Sequence, residues 1–81
     1  MRQKKIFLVL AFATTHDALA MEAYCGEKEI PGRLIPTPRE VSAGCGLVWR
    51  MTPEDAERYM PQIRQSGLSV QKEARVSLYC L

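Results

Sequence analysis

One cysteine of the chain stands in a setting that suits a reactive thiol. Cys45 lies between Gly44 and Gly46, and Ser42 comes shortly before it. Glycines let backbone N–H groups approach the sulfur and permit turn conformations that branched residues resist. Because a reactive thiol needs access and a stabilised thiolate, Cys45 is the candidate reactive residue and its three neighbours are supporting ones. The alternative is a buried, structural cysteine at the start of a strand.

A second group of residues could stabilise that thiolate. The run Thr14, Thr15, His16, Asp17 is typical of a helix start, since a threonine can cap the first N–H groups and Asp17 suits the positive end of the helix dipole. Such N–H groups attract anions, and a protonated His16 would add positive charge. Arg39, in a proline-rich stretch, could also meet an anion. A histidine or arginine in such a place is nevertheless more often simply solvated.

The other residues with chemical potential do not form a known site. No C-x-x-C spacing occurs among the three cysteines, which are Cys25, Cys45 and Cys80. Because His16 is also the only histidine, a zinc site is not expected. The sequence has neither a glycine-rich phosphate loop nor the elements of a hydrolytic triad. We therefore expect no metal, no cofactor and no enzymatic activity. The odd number of cysteines predicts reduced thiols and a cytoplasmic location.

Composition predicts one small globular domain over residues 1–81, with a core of about 5–79. Hydrophobic residues make up 47% and charged residues 25% of the chain. The net charge is only +2 and the basic residues are scattered along the sequence, so we expect no nucleic acid partner. The apolar run 6–13 is too short to span a membrane. Together with the basic residues at the start of the chain and the A-L-A sequence at 18–20, this run imitates a secretory signal. We interpret it instead as a buried strand.

Six elements are predicted to position the candidate residues. They are a strand at 5–12, a helix to about 28, strands at 33–35 and 47–51, a helix from 53 toward 66, and a strand within 68–79. Thr52 is the expected cap of the second helix, Gly67 its stop, and Pro61 an interior residue that should loosen it. In the last segment, Val70 is separated by an even number of residues from positions 74, 76 and 78. In one strand their side chains would therefore share a face of the sheet.

The order strand, helix, strand, strand, helix, strand predicts an α+β, ferredoxin-like split βαβ sandwich: a four-stranded antiparallel sheet with both helices on one face. Another small α+β packing of the same elements is the alternative. In the predicted fold the first and third strands are antiparallel neighbours. Cys45 should then lie beside the start of the first helix, with Cys80 at the opposite end of the sheet and Cys25 distant from Cys45.

Four segments of the chain resemble a known family. They are F-A-T-T-H-D-A-L (12–19), I-P-G-R-L-I-P-T-P-R (30–39), V-S-A-G-C-G-L (41–47) and P-E-D (53–55). The chain resembles the selenium/sulfur carrier protein-like family over about residues 6–76, most specifically in P-x-P-R-x-V-S-x-x-C-G. The resemblance implies a carrier that holds a persulfide or perselenide on Cys45. It also implies a cysteine-desulfurase-like donor and a sulfur or selenium acceptor protein as partners.

Two other functions are compatible with the same residues. The protein could be a regulatory or interaction module that binds a partner through its sheet, with Cys45 as a structural residue. It could also be a thiol redox sensor, although no resolving cysteine is predicted near Cys45. The sequence leaves the oligomeric state open.

Overall fold

The fold follows the predicted order of elements. The structure is a computed structural model that describes residues 3–41 and 46–79. Its elements are β1 (Lys4–Ala11), α1 (Thr15–Lys28), β2 (Arg33–Pro36), β3 (Leu47–Met51), α2 (Pro53–Gln65) and β4 (Lys72–Tyr79). Neither helix of the described part is long and apolar enough to cross a membrane.

The four strands form one sheet in the order β2-β3-β1-β4, and every neighbouring pair is antiparallel. The two central strands are therefore β1 and β3, as the split βαβ arrangement requires. The edge strand β4 pairs with β1 along its whole length, from Lys72 opposite Ala11 to Tyr79 opposite Lys4. The predicted α+β, ferredoxin-like fold is confirmed.

Both helices cover the same face of the sheet, which we call the helix side. Because side chains alternate along a strand, every second residue of β1 and β3 points to this side. The helices meet those strand residues in one apolar core, with α1 packed mainly on β3 and α2 on β1. Among the larger members of this core are Leu10, Phe12, Met21, Trp49, Met51 and Ile63.

The opposite face of the sheet carries a second, smaller apolar cluster. Val9, Ala11, Val48 and Val76 come from the strands, and Val41 joins them from the connection between β2 and β3. Val70, which was predicted to share this face, packs instead against the core of the helix side. The reason is that β4 begins only at Lys72, so the alternation of the strand does not extend back to residue 70.

The helix ends have the predicted chemistry. The hydroxyl oxygens of Thr14 and Thr52 accept hydrogen bonds from backbone N–H groups three residues on, at 3.2 Å and 3.1 Å. Ser66 caps the C-terminal end of α2 and is followed by Gly67, whose φ of 84° is the left-handed conformation that glycine favours. The helix continues through Pro61 to its last residue, Gln65.

Candidate functional site

The end of β1 and the start of β3 meet at one edge of the sheet. Ala11, the last residue of β1, lies opposite Val48, the second residue of β3. Beyond Ala11 the chain passes through Phe12 into the N-cap of α1, while Gly46 leads directly into β3. The structure thus brings the start of α1 and the entry to β3 to the same edge, as the predicted topology requires.

The start of α1 supplies positive electrostatic potential at this edge. Thr14 has an extended backbone and is the N-cap, so that Thr15 is the first helical residue. Thr15 and His16 are both exposed in the first turn. Backbone N–H groups at a helix N-terminus point out of the helix and, together with the helix dipole, favour an anion. The N–H groups of this turn would favour an anion such as a thiolate, and the carboxylate of Asp17 in the same turn partly offsets them.

The connection between β2 and β3 is closed at its base. The backbone N–H of Thr37 donates to the carbonyl oxygen of Gly46 at 3.1 Å, just beyond the pair that Pro36 forms with Leu47. This hydrogen bond fixes the two ends of the connection against each other. Gly46 is exposed, and a Cβ added to it would meet nothing within 4 Å.

A turn and an apolar anchor hold the first half of the same connection. The N–H of Val41 donates to the carbonyl oxygen of Pro38 at 3.0 Å, which closes a turn that contains Arg39. Val41 is only 6% exposed, because it packs on the sheet face opposite the helices. Arg39 itself is exposed, in agreement with a solvated side chain that an approaching anion can still reach.

Three of the predicted site residues, Ser42, Gly44 and Cys45, lie outside the described residues. The proximity of the Cys45 thiol to the start of α1 therefore stays a prediction, supported by the described residues on either side of it. Cys80 lies outside them as well. The residue before it, Tyr79, pairs with Lys4 at the end of β1 opposite to Ala11.

The third cysteine belongs to the core and not to a reactive site. Cys25 has no exposed surface, and its thiol lies 3.5 Å from the sulfur of Met21. Burial raises the pKa of the Cys25 thiol to about 11, because the apolar surroundings disfavour the thiolate. Cys25 is consequently unsuited to nucleophilic chemistry in the folded protein.

Sequence reasoning missed the anchored base of this connection. Its apolar anchor, Val41, is an isolated apolar residue in an otherwise polar and proline-rich stretch, and that isolation was the available signal. The hydrogen bond between Thr37 and Gly46 depends on strand pairing and leaves no local signature. Among the described residues, no group of three or more His, Cys, Asp or Glu side chains could hold a metal ion.

Comparison with known proteins finds one family that matches the chain. No curated protein and no solved structure matches the chain. The family described as "Putative Se/S carrier protein-like" matches residues 7–74. The matched region begins within β1 and ends within β4, and it contains both the start of α1 and the connection that precedes β3. Because the match covers most of the chain, the protein belongs to the Se/S carrier protein-like family.

Proposed function

We propose that this protein carries activated sulfur or selenium on Cys45, as a persulfide or perselenide, and passes it to an acceptor protein. The observation that carries the proposal is the family match over residues 7–74, which includes Cys45. The geometry of the sheet edge supports it. Cys45 precedes Gly46 in the sequence, and Gly46 enters β3 at the edge where α1 begins. Positive potential at a helix start favours a thiolate over a thiol.

The proposed transfer needs no cofactor and no net oxidation. The Cys45 thiolate attacks the terminal sulfur of a persulfide on the donor enzyme. A new S–S bond forms on Cys45, the S–S bond of the donor breaks, and the cysteine of the donor leaves as a thiolate that takes up a proton. In the second step a nucleophile of the acceptor attacks the terminal sulfur, and the Cys45 thiolate leaves. Selenium follows the same path through a perselenide.

The protein contributes access and electrostatics to this exchange, which is the role of a carrier and not of an enzyme. We propose a cysteine-desulfurase-like donor, because such an enzyme presents the persulfide that the first step consumes. The start of α1, with the exposed Thr15 and His16, is the supporting element for the thiolate. Arg39 offers an exposed positively charged side chain on the same connection, beside the exposed Glu40. We place the exchange in the cytoplasm, where thiols stay reduced.

Loading by a desulfurase tests the proposal directly. The protein is incubated with a cysteine desulfurase and cysteine, and its intact mass is measured without reductant. Wild type and the Cys80→Ser variant are expected to gain the mass of one or more sulfur atoms, and Cys45→Ser is expected to gain none. Cys80→Ser is the matched control, since it makes the same substitution at a different cysteine. The same assay with selenocysteine tests selenium.

Two results would contradict the proposal. The first is loading of Cys45→Ser to the same extent as wild type, which would show that another thiol takes up the sulfur. The second is an unfolded or strongly destabilised Cys45→Ser protein together with no loading of wild type. That result would favour the alternative in which Cys45 is structural and the protein is an interaction module. Denaturation curves of both cysteine variants distinguish these cases.

A further inference from the structure

The face of the sheet that carries no helix collects basic side chains. We call it the open face; Phe7, Val9, Ala11, Ile35, Val48, Ala74, Val76 and Leu78 are its apolar residues. Its charged residues, by strand register, are Lys5, Arg33, Arg50 and Lys72. All four are cationic, and the described strands place no acidic side chain on this face.

The helix side has the opposite charge. Eight of the nine acidic residues of the chain lie on the helices, at their ends, or on the strand positions that face them. The ninth, Glu40, lies beside Arg39 in the turn before β3. Five described basic residues share the helix side, which leaves it a net charge of −3: Lys4, Lys28, Arg58, Arg64 and Arg75. The net charge of +2 for the whole chain conceals this separation.

Some apolar surface remains accessible beside the cations of the open face. Val9, Ala11 and Val48 are fully buried at its centre, but Ile35 and Leu78 are only half-buried. The face therefore offers partly exposed apolar side chains toward its margins, next to the exposed cations Lys5, Arg33 and Lys72. Such a combination matches a protein segment with both apolar and acidic residues.

The single aromatic ring on the described open face is not available for stacking. Phe7 is only 6% exposed, and the guanidinium of Arg50 lies over its ring at 4.7 Å from the ring centre. Proteins that bind single-stranded nucleic acid on such a surface need exposed rings on which bases stack. The negative helix side would further oppose a polyanion that extends beyond the face. These observations favour a protein partner over a nucleic acid.

We infer that the open face is a docking surface for an acidic protein segment that also carries apolar side chains. The inference concerns binding alone, so its test does not depend on whether the protein transfers sulfur. Val41 joins the open face to the connection that leads toward Cys45. A partner that docks on this face is therefore brought to the same connection, which is the arrangement that a donor or an acceptor would need.

A pair of charge-matched variants tests the inference. Arg33→Gln/Lys72→Gln removes two exposed cations from the open face, and Lys28→Gln/Arg58→Gln removes two exposed cations from the helix side. Both variants have the same net charge, so long-range attraction from net charge is equal. The probe is a fluorescein-labelled peptide in which glutamates alternate with leucine and serine. Its binding is measured by fluorescence anisotropy, in a Cys45→Ser background that excludes chemistry at that thiol.

We expect the open-face variant to weaken binding of the peptide by about tenfold at low salt, and the helix-side variant to change it by less than about twofold. Binding to the Cys45→Ser protein without charge substitutions should also fall as salt is added. Equal weakening by both variants would overturn the inference, as would equal binding of a peptide with glutamine in place of glutamate. Tighter binding of oligo-dT, or of anionic vesicles, would overturn it in favour of a different partner. Circular dichroism checks that both variants are folded.

Discussion

Gly32 lies directly against the indole ring of Trp49. A Cβ added to Gly32 would stand 2.6 Å from three atoms of the ring, and the φ of Gly32 is +146°. Trp49 is only 3% exposed, and its ring nitrogen is buried without a hydrogen-bond partner among the described residues. The glycine before β2 is thus required by the core, because the backbone of the turn must approach the tryptophan more closely than any side chain permits.

Replacing Gly32 by alanine is expected to lower the free energy of unfolding by about 2 kcal/mol or more, because the added methyl group overlaps the ring and the backbone is strained. Gly26→Ala is the matched control. Gly26 is exposed inside α1 and has no atom within 4 Å of an added Cβ, so alanine should raise stability by about 0.5–1 kcal/mol. Urea denaturation, followed by the fluorescence of the single tryptophan, measures both; equal effects of the same sign would contradict the prediction.

The buried thiol of Cys25 predicts a loss of stability at high pH. Its pKa is raised from 9.0 to about 11 in the folded protein, so between these values the unfolded chain loses a proton that the folded protein keeps. The stabilisation is complete below pH 9 and is lost as the pH rises toward 11, by at most about 2–3 kcal/mol.

Cys25→Ala provides the comparison for this pH dependence. The variant should be less stable than wild type at neutral pH, because it loses buried contacts, but its stability should fall less steeply between pH 9 and 11. The measurement is a series of urea denaturation curves under reducing conditions. Parallel pH profiles for the two proteins would show that the thiol does not titrate as its burial requires.

The two threonine caps predict similar losses of stability. Thr14→Ala and Thr52→Ala each remove a hydroxyl that accepts a backbone hydrogen bond, which should cost about 1 kcal/mol. In a domain of this size that loss lowers Tm by about 4–8 °C. Serine at either position keeps the acceptor and should restore most of the stability. Thermal denaturation followed by circular dichroism compares the four variants, and serine variants as unstable as the alanine variants would argue against capping.

The ion pair between Arg64 and Glu73 is expected to contribute little. It joins α2 to β4 at 3.3 Å, but the two side chains are 61% and 38% exposed. Solvent and salt weaken such a pair, so the coupling energy should be below about 1 kcal/mol. A double-mutant cycle with Arg64→Gln and Glu73→Gln measures it, and a coupling well above that value would show that the pair is more rigid than its exposure indicates.

Local chemistry was enough to predict most of the fold. The alternation in Leu47–Met51 defined β3 and its buried face, and the Thr52-Pro53 pair defined the start of α2. Val70 was assigned to the wrong face because parity in a sequence does not reveal where a strand begins. For the site, the edge shared by α1 and β3 was predicted correctly from topology.

Two features of the structure could not be predicted from neighbouring residues in the sequence. Val41 is buried through contacts with residues distant in sequence, so its anchoring role depends on the completed sheet. The charge separation has the same origin. Lys5, Arg33 and Lys72 are far apart along the chain, and only the strand register brings them to one face. The role of Cys45 stays a prediction, since that residue lies outside the described ones.

The closed base formed by Thr37 and Gly46 makes this part of the chain a place where foreign sequence can be grafted. The sheet itself holds the two ends together, so a longer insert has only a small entropic cost, about 0.6 kcal/mol for each doubling of length. Peptide epitopes could therefore be displayed from this connection if Val41 keeps its contacts with the sheet.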